Sequence, residues 1–210
     1  MCNEAARRIA LGQIREDFAQ LRIPLRFPEG LPNLAPLESV RITDGTLILR
    51  GAADGAVEGS MRRWSWPGQG GRPVYNFRSE GRSLPQEGRC LIPVDAFFEF
   101  TDPPPDAPKR ARKTKWRFTL APDAFGVPAF DPPWFCIAGV WRREPKLGEG
   151  AAGEAFAMLT CDPGPDVAPY HRRQVVLPQR DQWAGWLDGS LSAAEVCRPA
   201  PAGMLRVERA

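Results

Sequence analysis

Val40-Arg41-Ile42-Thr43-Asp44-Gly45-Thr46-Leu47-Ile48-Leu49-Arg50 is the stretch whose reading sets the class of fold. Val40 to Ile42 and Thr46 to Arg50 are runs of β-favouring residues. Asp44-Gly45 between them is a strong hairpin signal, because both residues tolerate the left-handed backbone that a tight turn demands. The spacing predicts two antiparallel strands. Outward from there the same grammar recurs. Ser60 to Trp66 reads as a strand running into the loop Pro67-Gly68-Gln69-Gly70-Gly71, and Val74 to Phe77 as a short extended piece. Arg89 to Pro93, Ala96 to Phe100 and Phe156 to Thr160 are β-type runs. Lys115 to Leu120 alternates Trp116, Phe118 and Leu120, and is expected to pair with Phe135 to Trp141.

Helical spacing is rarer. Ile9, Ala10, Ile14, Phe18 and Leu21 predict a helix over Ala6 to Leu21, stopped by Pro24. Gln179 to Leu187 predicts a second, with Trp183, Trp186 and Leu187 on one face, and the tail a short helix and a last strand. Twenty-three prolines and twenty glycines favour short strands joined by turns. At 210 residues and 23.2 kDa the chain fits one mainly antiparallel α+β domain, taken as 2–210, with a proline-rich and basic loop over 102–115 and a tail over 198–210.

Composition excludes several functions. No apolar run approaches the length of a membrane span, and no basic-then-apolar leader opens the chain, so a cytoplasmic protein is expected. The five cysteines lack Cys-x-x-Cys spacing and only one histidine exists, which argues against a zinc site or a disulfide framework. No metal or cofactor is expected. Cys90, Cys136 and Cys161 sit in strand-like runs as small buried hydrophobes. The net charge of +3 is unremarkable, but its distribution is not. Six arginines (Arg62, Arg63, Arg72, Arg78, Arg82, Arg89) face two glutamates between Ser60 and Cys90, and Lys109 to Arg117 is basic throughout its charged residues. Such stretches fit either a polyanion-binding surface or an ordinary solvated face.

Four fragments could carry chemistry. Removal of Met1 would leave Cys2 with an α-amine and a thiol on one residue, a 1,2-aminothiol that condenses with an aldehyde and closes to a thiazolidine. Both groups titrate within about two units of neutrality in their reference state. A cysteine that merely packs is the plain alternative. Asn76, in Tyr75-Asn76-Phe77-Arg78-Ser79-Glu80, can donate and accept, or serve a turn. Glu99 lies among Phe97, Phe98 and Phe100, so it either faces outward on an edge strand or is a desolvated acid–base group. His171, followed by Arg172 and Arg173, is either structural or a proton donor beside phosphate-binding arginines. Trp64 and Trp66 could stack bases or fill a core.

In order, Met1-Cys2, Pro32 to Pro36, Arg63-Trp64-Ser65-Trp66-Pro67, Asn76 to Glu80, Cys90 to Pro93 with Phe97-Phe98-Glu99-Phe100, Ala138-Gly139-Val140-Trp141 and His171-Arg172-Arg173 resemble the SRAP family, named for SOS-response-associated peptidase. The likeness runs from residue 2 to about Leu187. It implies an irregular β-barrel core with a few peripheral helices, and a sensor of abasic sites in single-stranded DNA. Cys2 would capture the ring-opened sugar aldehyde as a thiazolidine crosslink, Asn76, Glu99 and His171 would complete the active site, and Arg78 would contact DNA. Beyond what the family implies, Arg62, Arg63, Arg82 and Arg173 are candidates for phosphate, and Trp64 and Trp66 for a base. The protein would act as a monomer near the nucleoid. Asn3-Glu4 replaces the frequent Gly-Arg, Phe100 a tryptophan, and Gln174-Val175 a frequent Met-Pro. Two rival classes remain: an N-terminal-nucleophile cysteine peptidase acting on no more than its own Met1-Cys2 bond, and a non-covalent single-strand binding module that has no need of Cys2.

Overall fold

Both strands expected on either side of Asp44-Gly45 form, but they part company instead of pairing. In the computed structural model, which describes residues 2–82, 84–108, 110–122, 124 and 133–210, fifteen strands and three α-helices can be followed among those residues. They are β1 (Glu4–Arg7), α1 (Leu11–Gln20), β2 (Leu25–Arg26), β3 (Leu37–Arg41), β4 (Gly45–Gly51), β5 (Val57–Trp64), β6 (Trp66–Pro67), β7 (Pro73–Val74) and β8 (Asn76–Arg78). There follow β9 (Arg89–Val94), β10 (Ala96–Thr101), β11 (Thr114–Leu120), β12 (Phe135–Arg143), β13 (Glu154–Cys161), β14 (Gln174–Val175), α2 (Gln182–Asp188), α3 (Ala193–Val196) and β15 (Leu205–Arg209). β3 pairs with β1, while β4 pairs with β5 and β9. The turn does form: Asp44 N–H donates to Arg41 O at 3.0 Å, and Arg41 N–H to Asp44 Oδ2 at 2.8 Å. Thr43, at φ 82°, then donates to Trp64 O, and Trp64 N–H donates to Asp44 O, each at 2.8 Å. The turn is thereby latched to the end of β5, and the chain passes from one sheet to another.

β13, β12, β9, β4 and β5 pair in that order, and β5 returns to β13, so five strands close into an irregular barrel. The closing pair is parallel, Ala155 opposite Arg63 and Phe156 opposite Trp64. A second sheet runs β15-β11-β10-β1-β3, and β6 and β7 form a small ribbon. The protein is thus a single α+β domain, mainly antiparallel. Successive barrel residues serve two cores. Ile48, Ile92, Ile137 and Phe156 pack with Phe97 and Phe118 of the second sheet, while Leu49, Leu91, Ala138 and Leu159 pack with Phe18, Trp183 and Trp186 of the helices. Gly139 permits this closeness, since a Cβ there would lie 2.5 Å from Ile92 Cδ1 and 2.8 Å from Ala157 O.

Three expectations need correction. The first helix begins at Leu11 rather than Ala6, because Glu4–Arg7 finds strand partners on both sides, β10 and β3, and these outweigh local helical spacing. Lys115 to Leu120 pairs with β10 and β15, not with Phe135 to Trp141, whose neighbours are β9 and β13. The Val175 strand is only two residues long. Cys90, Cys136 and Cys161 are buried as expected. Met1, and Lys109 in the basic loop, lie outside the described residues. No helix among the described residues is long and apolar enough to cross a membrane.

Trp64 is fully buried, stacked on Phe156 at 6.3 Å, and its indole N–H donates to Tyr75 O at 2.8 Å. Trp64→Ala should therefore lower unfolding free energy by about 3–5 kcal/mol, the usual cost of emptying a core aromatic site. The midpoint of urea unfolding measures it.

Candidate active site

The ends of four segments distant in sequence meet beside the second sheet. β1 sits between β10 and β3, which carries Cys2, two residues before the strand, into the core with 1% of its surface exposed. β8 lies along β13 with Asn76 opposite Met158, and from there Asn76 Nδ2 donates to Cys2 O at 2.7 Å. Its Oδ1 is buried and has no hydrogen-bond partner among the described residues. β10 supplies Glu99, which accepts a hydrogen bond from the backbone N–H of Cys2. His171 ends a tight turn in which its N–H donates to Val167 O at 3.0 Å, and its Nδ1 lies 4.0 Å from Glu99 Oε1. That turn requires Gly164, where a Cβ would come within 2.0 Å of Ala200 O.

Burial dominates the electrostatics. It pushes the Glu99 carboxyl up to about 7, against the opposing pull of the chain's amino terminus and the Cys2 N–H. It pushes the Cys2 thiol up to about 12, helped by the nearby Glu99 charge. It lowers the His171 pKa, against a hydrogen bond with the Arg173 backbone. At neutral pH the thiol stays protonated and the imidazole is biased toward its neutral form, while the carboxyl is held far above the usual carboxylate range. Glu99 and His171 line a cavity of about 730 Å³ together with Asn3, Tyr75, Phe100, Lys113, Tyr170 and Arg172. Tyr75 and Tyr170 are the chain's two tyrosines, and each directly precedes an expected site residue. That adjacency was the available signal for them, as it was for Asn3 after Cys2 and Arg172 after His171; Lys113 had no comparable one.

The structure sorts the expected DNA contacts. Arg78 is exposed on β8 next to Asn76, and Arg82 is exposed with its guanidinium 4.5 Å from the Phe77 ring centroid. Arg63 is half-buried and donates to Thr43 O at 3.2 Å. Arg62 is held in the protein by Glu29 and by Glu154 at 2.6 Å, with only 2% of its side chain exposed. Arg173 grips Glu80 through two bonds of 2.7 and 2.8 Å and also Asp162. Trp64 and Trp66 are core residues, and Arg142 covers the Trp66 ring at 4.5 Å. As folded, Arg62, Arg173 and the two tryptophans do not present the groups a nucleic acid would need. In the second basic stretch Lys113 pairs with Asp102, Lys115 with Glu4, and Arg117 with Asp95 and Glu208.

A family model described as SOS response associated peptidase (SRAP) matches residues 1–209. Solved structures share the fold. A Bordetella bronchiseptica protein is 22% identical with a TM-score of 0.66, covering 100% of this chain and 99% of its own. A phage-related protein of the same organism is 17% identical at 0.70, covering 100% and 94%. A Bacteroides thetaiotaomicron protein is 18% identical at 0.67, covering 99% and 91%. None of the curated proteins matches the chain.

Two outcomes follow from this geometry. A raised carboxyl binds its proton more tightly folded than unfolded, so wild type loses stability as pH rises from 4.5 to about 7. Glu99→Gln should escape that loss, and its melting temperature relative to wild type should climb across this window and then level off. Arg62→Ala should cost about 1.5–3 kcal/mol, because Glu154 loses one charged partner in a buried site while Arg50 still holds it at 2.9 Å. Urea unfolding reads that loss.

Proposed function

The chain belongs to the SRAP family of SOS response associated peptidases, and from that membership and the Cys2 cluster we propose that it captures abasic sites in single-stranded DNA as a covalent thiazolidine. The observation that carries this reading is the hydrogen bond from Cys2 N–H to a carboxyl poised at about 7. Once Met1 is removed, that nitrogen is the α-amine. Glu99 can take a proton from it and return one within the working range of a general acid–base. The amine attacks first, since a thiol raised to about 12 is a poor nucleophile before its proton has somewhere to go. Amine and aldehyde give an imine and one water. The S–H then adds across the C=N bond, sulfur to carbon and proton to nitrogen. Neutral His171 is suited to proton transfer at the sugar ring oxygen, and Asn76 holds the Cys2 carbonyl while its free Oδ1 can accept from the amine. Confinement makes both steps intramolecular.

Arg78, with Arg82, Arg63 and Arg172 of the cavity rim, would hold phosphates; a monomer acting on cytoplasmic, nucleoid-associated single strands is sufficient. The peptidase in the family's name fits best at one bond, Met1-Cys2, whose hydrolysis produces the reactive amine. A general peptidase would need a thiolate, and burial opposes one here.

Intact mass of the active protein should lack methionine, and a heat-stable adduct should form with an abasic oligonucleotide. Cys2→Ala should abolish the adduct and leave single-strand affinity within about twofold, as expected when a nucleophile is removed without its phosphate contacts. Retention of Met1 in active protein would defeat the mechanism. Arg78→Ala should lower the slope of log K against log salt by about 0.7. Fluorescence titration at several salt concentrations measures it, and an unchanged slope would remove Arg78 from the DNA path.

A further inference from the structure

A partly buried charge pair two residues from Cys2 takes no part in the chemistry above. Glu4 on β1 is 5% exposed, and its Oε1 accepts from Lys115 Nζ and from Ser39 Oγ, each at 2.7 Å. Arg41 stands 3.9 Å away. Lys115 belongs to β11, and its ammonium lies 3.9 Å from the centroid of Phe98, the residue before Glu99. Glu4 also meets the reactive residue itself: the Cys2 S–H donates to the Glu4 carbonyl at 3.3 Å. One pair therefore ties β1 to β3 and to β11, abuts the residue preceding Glu99, and belongs to the residue whose backbone receives the thiol.

We infer that the Glu4–Lys115 pair is a positioning device for the Cys2 thiol, acting on ring closure and not on imine formation. This rests on the proposed covalent capture. The two steps depend on different supports. The nitrogen is held by Glu99 and, through the adjoining carbonyl, by Asn76. The sulfur swings about one side-chain bond and is directed by the Glu4 carbonyl. In closure the S–H bond breaks, the S–C bond forms and the proton passes to nitrogen, so the sulfur must reach the imine carbon. Buried ion pairs add little net stability because desolvation offsets their attraction, but their geometry is directional.

The test uses mature wild type, Glu4→Gln, Lys115→Met, the double variant and Lys115→Arg with an abasic oligonucleotide. Borohydride quenching reduces the imine to an amine with a free, alkylatable thiol, whereas the thiazolidine blocks that thiol; mass spectrometry of the amino-terminal peptide separates them. Each single loss of charge should slow closure about tenfold while imine formation changes less than about twofold, as expected for displacement by a fraction of an ångström. The double variant should be no slower than the slower single one, since the two act as a unit. Lys115→Arg should close at the wild-type rate, and with the double variant it carries the test if a single variant fails to fold. Equal slowing of both steps, or unchanged closure in folded variants, overturns the inference alone. Absence of any adduct from mature wild type overturns the proposed function, and this inference with it.

Discussion

β13 is paired along both edges, and each edge changes partner within its eight residues. Every buried amide and carbonyl along it must be paired, and no single strand on either side does so. On one edge β5 takes Ala155 and Phe156 and then β8 takes Met158 to Thr160; on the other, beyond β12, β14 takes Thr160 and Cys161. The β5 pairing closes the barrel. The β8 pairing sets Asn76 against Cys2, and the β14 pairing fixes the chain just after His171. Barrel closure and the placement of Asn76 are therefore satisfied by the same row of hydrogen bonds. Trp64 joins the two, packing inside the closed barrel while donating to the carbonyl of Tyr75 at the cavity.

The molecule treats its buried charges in two ways. Arg62 with Glu154 and Glu29, and Arg173 with Glu80, are matched cation to anion, and their side chains are tied up in doing so. Around Cys2 the protein instead favours uncharged forms. Desolvation lifts Glu99 and Cys2 and lowers His171, so protons can be exchanged there without a large charge being stranded. The same burial that lifts the Glu99 carboxyl to about 7 keeps the Cys2 thiol protonated.

Strand positions were largely legible, because alternation and turn residues act locally. Partners were not. Asp44-Gly45 specifies a turn, and the turn is there, but whether its flanks pair depends on Trp64, twenty residues away in sequence, capturing the turn's backbone. Ala6 and Arg7 fall within the stretch read as helical, yet join a strand because β10 and β3 offer hydrogen bonds that local sequence does not reveal. The reactive candidates Cys2, Asn76, Glu99 and His171 were readable as residue types in ordered motifs, and they converge in space. The arginines were harder: Arg62 and Arg78 look alike in sequence, and only Glu29 and Glu154 assign one to the interior.

The amino-terminal strand is an interior member of a five-stranded sheet, between β10 and β3, whose other members come from all along the chain. During synthesis β1 can meet β3 early, but β10 emerges only later, and β11 and β15 later still. Pairings so far apart in sequence make assembly slow. The thiol of Cys2 is thus made well before the strands that enclose it. For that interval it stands in water, outside the environment that restrains its ionisation.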